Sequence, residues 1–143
     1  MTPLIIDASI AAKWFIPESH SINALRLLDA GCELLAPDLI FAEFGNVLWK
    51  KWMRKELESE VISPLLTDLI RMRLRIVPTA ALADKAAAIA ITYRRSFYDS
   101  IYLALAVSAQ GRMVTADGKL CNALRNTPLA ERLLWIEDAL EAV

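Results

Sequence analysis

Four acidic side chains, Asp7, Glu43, Asp99 and Asp117, stand where an α/β chain presents ligands. Asp7 directly follows the apolar run Leu4-Ile5-Ile6, and Asp117 comes two residues after Arg112-Met113-Val114-Thr115. Asp99 opens an almost wholly apolar stretch running from Phe97 to Val107. In an open parallel sheet, ligands collect outside the carboxyl ends of the strands, at the switch point. Asp7 and Asp117 belong at that edge, and the first turns of the following helices bring in Asp99 and Glu43. Four carboxylates drawn from four distant segments repel one another in a low dielectric, and a bound cation removes that penalty. Ligation by oxygen alone suits magnesium or manganese. Magnesium held by carboxylates, waters and substrate phosphate is the apparatus of phosphodiester hydrolysis. Ser9 and Thr115 are placed to hydrogen-bond these acids or a water among them. Asn46 and Lys50 share a helix face with Glu43 by i, i+3 and i+7 spacing.

Each of these residues also has an ordinary explanation. Asp7 and Asp99 are both suited to cap the helix that follows. Asp117 before Gly118 suits a simple turn, and Glu43, Asn46 and Lys50 suit a solvated stripe. Ser9 and Thr115 suit helix-terminal backbone groups. The case for a site rests on the combination. Other site chemistries are weaker: there is no GxxxxGK[ST], GxGxxG or GxSxG. The single histidine, His20, makes a Ser-His-Asp triad or a histidine-rich zinc site improbable.

The elements that must position these acids follow from periodicity. Leu4–Ile6 reads as a central strand, followed by a short helix over Ile10–Phe15 that stops near Pro17. Ser19 or Ser21 is expected to cap a helix through Ala24, Leu25, Leu27 and Leu28 that ends at Gly31. Glu33–Ala36 reads as a second strand closed by Pro37. Asp38 is expected to cap a long helix carrying Leu39, Phe41, Phe44, Val47 and Trp49, which forms an αα-hairpin with a helix from Glu58 to Met72. Arg75–Val77 is a third strand, Ala80–Tyr93 an alanine-rich helix, and the apolar stretch from Phe97 is the helix at the centre of the sheet. Arg112–Thr115 is a fourth strand, and Gly118–Leu124 a short helix. Leu133–Ile136 is a fifth strand before a short C-terminal helix. Alternating strands and helices predict a three-layer α/β/α sandwich with a mostly parallel sheet of four or five strands.

The 143 residues suit one domain with a real core. The hydrophobic fraction of 56% is high, yet no apolar run reaches the roughly 18 residues that would cross a bilayer. The first residues carry no basic region and no cleavage site of a signal peptide, so a cytoplasmic protein is expected. The apolar surplus is better explained by a buried parallel sheet and a subunit interface, for which Trp14, Phe15, Trp49 and Trp52 are candidates and equally candidates for the core. A net charge of −1 announces no nucleic-acid partner. Charge is local instead: Lys50, Lys51, Arg54 and Lys55 form one basic group, Arg71, Arg73 and Arg75 another, and Arg94 and Arg95 a third. Each suits a solvated helix face better than a phosphate site. Cys32 and Cys121, far apart and without CxxC spacing, fit a reduced setting.

Four segments together resemble a PIN domain, and more narrowly the VapC-type toxins of toxin–antitoxin pairs. They are Leu4-Ile5-Ile6-Asp7-Ala8-Ser9, Glu43 with Asn46, Tyr98-Asp99-Ser100-Ile101-Tyr102-Leu103-Ala104-Leu105-Ala106, and Val114-Thr115-Ala116-Asp117-Gly118-Lys119-Leu120. They span nearly the whole chain in the right order; Ser100 stands where such proteins commonly have alanine. The resemblance implies a magnesium- or manganese-dependent ribonuclease whose metal site is formed by Asp7, Glu43, Asp99 and Asp117, with Asp7 and Asp99 the principal ligands. It also implies a homodimer and a cognate antitoxin that blocks the active site. Two other functions compete: a catalytically silent PIN-like protein-binding module, and a DNA-directed or structure-specific nuclease of the same fold.

Overall fold

The computed structural model describes residues 1–139, and among these it contains five strands and seven α-helices. In chain order they are β1 (Leu4–Ile6), α1 (Ala8–Phe15), α2 (Ser21–Leu27), β2 (Leu34–Pro37), α3 (Leu39–Met53), α4 (Ile62–Ile70), β3 (Arg75–Val77), α5 (Ala83–Tyr93), α6 (Phe97–Ser108), β4 (Arg112–Thr115), α7 (Gly118–Leu124) and β5 (Leu133–Trp135). The strands lie in the order β3-β2-β1-β4-β5, and every pairing is parallel. The chain builds outward from β1 through β2 to β3, then crosses to the other side of β1 for β4 and β5. The switch point therefore lies between β1 and β4, the strands that lead into Asp7 and Asp117.

Strand alternation sorts the core into two faces. Leu4, Ile6, Leu34, Ala36, Val114 and Leu134 face a cluster completed by α1 to α4, including Ile10, Phe44, Leu48 and Leu69. Ile5, Leu35, Met113 and Leu133 face the opposite cluster, completed by α5 to α7. Helix α6 lies across β1, β2 and β4 and against α5. Its residues Ser100 to Ala106 are all buried, so it carries no polar face until its first turn. That cover is what its apolar composition requires.

Several boundaries and caps differ from the expectations. The helix expected from Glu58 begins as a 3-10 turn over Ser59–Val61 and becomes α-helical only at Ile62. Pro64 explains the shift, because a proline is tolerated only in the first turn. A similar turn over Thr79–Ala81 delays α5 to Ala83. Ser21 does not cap α2. Its hydroxyl donates to the Ile16 carbonyl and accepts from the Glu18 amide, while His20, at φ +66°, occupies the cap position. Asp38 stands at the start of α3 without a side-chain cap bond; its carboxylate accepts from the Thr79 amide and hydroxyl instead. The fifth strand ends at Trp135, and a 3-10 turn covers Ile136–Asp138. The rest of the expected C-terminal helix falls on residues 140–143, outside the described residues. Of the four candidate interface aromatics, Trp14 belongs to the chain's own core, with its indole N–H donating to the Ala24 carbonyl. Phe15 packs edge-on against Trp14 and Phe44, whereas Trp49 and Trp52 are 51% and 42% exposed.

Candidate active site

The chain leaves β1 in extended backbone at Asp7, whose Oδ1 accepts from the Ile10 amide at 2.8 Å and caps α1. Capping and site placement therefore coexist: one carboxylate oxygen satisfies the helix, and the residue still lines a cavity. Asp117 is built the same way. It follows β4, its amide donates to Thr115 Oγ1 at 2.9 Å, and its Oδ1 accepts from Lys119 and Leu120 at the start of α7. Asp99 is not the cap of α6; Ser96 is, accepting from the Asp99 amide, so the Asp99 carboxylate is not spent on capping the helix. Glu43 lies one turn into α3.

These side chains line two adjoining cavities. The first, of about 560 Å³, is lined by Asp7, Glu43 and Asp99, with Ser9, Asn46, Lys50, Tyr98 and Tyr102 around them. Its size is that of a small-molecule or nucleotide site. The second contains Asp7, Asp99 and Asp117 with Ser9, Lys13 and Thr115. Asp7, Ser9 and Asp99 stand at the junction, Glu43 at one end and Asp117 at the other. All seven site residues expected from the sequence are thus brought to one edge of the sheet, but Glu43 and Asp117 do not share a cavity. Thr115 is buried, and its hydroxyl is engaged in the turn to Asp117.

The cluster is electrostatically strained. Burial, and then the charges of Glu43 and Asp99, push the Asp7 carboxyl up to about 7, against the opposing Ile10 amide and Lys13. Burial and then Asp117 raise the Asp99 carboxyl, opposed by Ser96 and Arg95. Burial raises Glu43, with Asp99 adding to the rise and Tyr102 opposing it. Asp7, Glu43 and Asp99 each feel at least one other acid across the cleft. Among the described residues, no three of His, Cys, Asp or Glu are drawn close enough as they stand to chelate an ion. The donor set nevertheless fits a hard cation. It is carboxylate oxygen throughout, with four acids against Lys13 and Lys50 along the two cavities, and magnesium retains several waters in place of protein ligands.

Two residues without an assigned role in the sequence line the first cavity with the acids: Tyr98 and Tyr102. The Tyr102 hydroxyl is buried and has no hydrogen-bond partner within bonding distance. Burial and then the neighbouring Glu43 carboxylate hold it well above the usual phenol range. The signal was the i, i+3 spacing from Asp99, which puts both on one face of α6.

Comparison with known proteins bears on the family and the fold. The PIN domain family matches residues 4–125. The chain is 33% identical over 119 residues to Ribonuclease VapC3 of Pyrobaculum aerophilum, a match covering 82% of this chain and 91% of that protein. Among solved structures it is similar to PAE2754 of Pyrobaculum aerophilum, with a TM-score of 0.72 and 21% identity over 99% of this chain and 88% of that one. It is also similar to a chain of a toxin–antitoxin complex from Klebsiella pneumoniae, with a TM-score of 0.61 and 16% identity over 92% and 95% of the two chains. At those identities the structural likenesses speak for the fold.

Proposed function

Because the chain belongs to the PIN domain family, we propose that it is an endoribonuclease that hydrolyses RNA phosphodiester bonds with Mg2+ or Mn2+, and that it is the toxin of a toxin–antitoxin pair acting in the cytoplasm. The observation that carries this is the position of Asp7 and Asp99 at the junction of two cavities that end on Glu43 and Asp117. In this assignment Asp7 and Asp99 are the principal metal ligands, and Glu43 and Asp117 complete the site directly or through water. When bound, the ion supplies a nucleophilic water of lowered pKa and stabilises charge developing on the phosphate.

The rest is done by the chain. The capping bonds of Asp7 and Asp117 fix each carboxylate on a helix start, which limits its rotation before substrate arrives. Ser96 fixes the first turn of α6 and so the direction of Asp99. Ser9, at the junction, and the Asn46 amide, one turn beyond Glu43, offer donors to phosphate oxygens. In the metal-free protein the Asp7 carboxyl, raised to about 7, is only partly ionised near neutral pH, which lessens the repulsion.

The exposed Trp49, Trp52 and Met53 near the end of α3, with Val61 and Ile70 from the α4 region, support a partner-covered face. A homodimer that also receives a cognate antitoxin accounts for it. No helix among the described residues is long and apolar enough to cross a membrane.

The test is cleavage of a synthetic structured RNA by purified protein. Cleavage is expected with Mg2+ or Mn2+ and lost in EDTA. Asp99→Asn should lower it about 100-fold or more with an unchanged circular dichroism spectrum. Full activity in that variant would sink the assignment. A folded protein that cleaves no RNA with either metal would favour the silent binding module.

A further inference from the structure

A third cavity adjoins the acidic ones, and its charge is the reverse of theirs. It lies between α1 and α3 and is lined by Lys13, Lys50, Lys51 and Arg54, with Glu18 and Ser9. It is continuous with the acidic cleft: Lys50 and Ser9 also line the first cavity, and Lys13 and Ser9 the second. The two walls follow from helix periodicity. On α1, Ser9 and Lys13 are i and i+4. On α3 the stripe Glu43, Asn46, Lys50, Arg54 advances by three or four residues, so one face changes from acid to base along its length. The seven residues from Glu43 to Lys50 rise about 10 Å, enough to pass from one phosphate of a strand to others beyond it.

The groove holds four cations against one carboxylate, in a chain whose overall charge is −1. That carboxylate, Glu18, bridges two of the cations. Its Oε1 lies 3.6 Å from Lys13 Nζ and its Oε2 3.4 Å from Lys51 Nζ, and the side chains of both lysines are more than four-fifths covered. Among the described residues Lys50 and Arg54 have no acidic partner and are exposed. Lys51 also lies 4.0 Å from Glu56 Oε2, outside the groove lining; two covered lysines converging on Glu18, beside two uncommitted cations, form a receptor for an anion with several oxygens.

We propose that this groove is the binding subsite for the RNA backbone flanking the scissile phosphate, and that Glu18 occupies a phosphate position within it when RNA is absent. The proposal rests on the nuclease assignment and adds the direction of the substrate: the strand runs from the acid junction over Lys50 toward Arg54, between α1 and α3. Glu18 then competes with the backbone for Lys13 and Lys51. Removing a groove cation and removing Glu18 must therefore act in opposite directions.

The experiment measures binding, not cleavage. A labelled single-stranded RNA of mixed sequence is titrated by fluorescence anisotropy into Asp99→Asn protein at several salt concentrations. In that background, Lys50→Gln and Arg54→Gln are each expected to weaken binding about three- to tenfold and to reduce the slope of log K against log[salt] by about 0.7. Glu18→Gln is expected to tighten binding several-fold. A merely structural role for Glu18 would make that variant weaken binding with the others, which would overturn the proposal, as would unchanged binding in Lys50→Gln and Arg54→Gln. If Glu18→Gln fails to fold by circular dichroism, the Lys50→Gln/Arg54→Gln double variant carries the test, and an unchanged affinity refutes it. Poly-glutamate retained with this charge dependence where RNA is not would overturn the proposal in favour of an acidic polypeptide. Failure of cleavage with these binding changes intact would fail the nuclease assignment alone; intact cleavage without them would fail the groove alone.

Discussion

Replacing Asp7 by Asn should stabilise the metal-free protein while abolishing the proposed RNA cleavage with Mg2+ or Mn2+. The sign follows from the raised carboxyl. In the unfolded chain Asp7 titrates near 3.8, in the folded chain at about 7. Between those values the folded state holds a proton that the unfolded state has released, so stability falls as pH rises through that window. The shift of about 3 units corresponds to about 4 kcal/mol at most above pH 7, and the partial exposure of the side chain reduces it. Asn keeps the acceptor for the Ile10 amide and is as good a cap as Asp, so the substitution removes charge with little loss of helix stability. We expect the EDTA-treated Asp7→Asn protein to exceed the parent by about 1–3 kcal/mol at pH 8, seen as a melting temperature several degrees higher, with the two converging near pH 4. Adding millimolar Mg2+ at pH 8 should raise the parent's melting temperature and raise the variant's less. Urea melts at pH 4, 6 and 8 with and without EDTA give all of these values. A variant less stable than the parent at pH 8 in EDTA, or a difference that grows toward pH 4, would refute the reasoning.

Two further substitutions test neighbouring parts of the structure. Gly111→Ala places a Cβ 2.5 Å from the Pro3 carbonyl oxygen, which is backbone and already accepts from the Arg112 amide. It should cost about 1–3 kcal/mol in a urea melt, and a neutral result would show that the link between α6 and β4 yields more easily than its packing suggests. Tyr102→Phe deletes a buried hydroxyl that has no hydrogen-bond partner, so the melting temperature should hold or rise. RNA cleavage should stay within about twofold of the parent, because the hydroxyl makes no bond to Glu43 in the structure; a large loss of cleavage would show that it orients that acid.

The parts of the fold legible from sequence are those fixed by local chemistry. The strands Leu4–Ile6, Arg75–Val77 and Arg112–Thr115 fall where they were expected, because each is a short apolar or β-branched run bounded by Asp, Pro or Gly. Helix α6 was legible because an almost wholly apolar run from Phe97 to Val107 needs cover on most sides, and the structure buries seven consecutive residues of it. The caps were not legible, because a cap is a competition that distant residues can win. Thr79, forty-one residues away, takes the Asp38 carboxylate from α3, and the Ile16 carbonyl takes the Ser21 hydroxyl from α2. Pro64 carried a local signal, and it moved the start of α4 to Ile62. Trp14 and Trp52 could not be told apart by type. Trp14 is held inside by a backbone carbonyl of α2 that no periodicity announces.

The acids were legible for a different reason. Strand ends and helix starts can be read from sequence, and the parallel topology sends all of them to one edge. What could not be read was the relation between that edge and the basic group beyond it. Lys50 and Arg54 on their own suit a solvated face, and the i, i+3, i+7 stripe on α3 gives them no partner. They become one wall of a groove only because α1 packs against α3 and brings Lys13 and the following Glu18 to the opposite wall. A helix face that is acidic near its start and basic in its last turn suits the helix dipole, but it also places like charges together at both ends. In the proposed reading the basic end of that face holds a polyanion and the acidic end cuts it. That is why the opposite responses expected of Glu18→Gln and Lys50→Gln bear on the whole surface and not on a single ion pair.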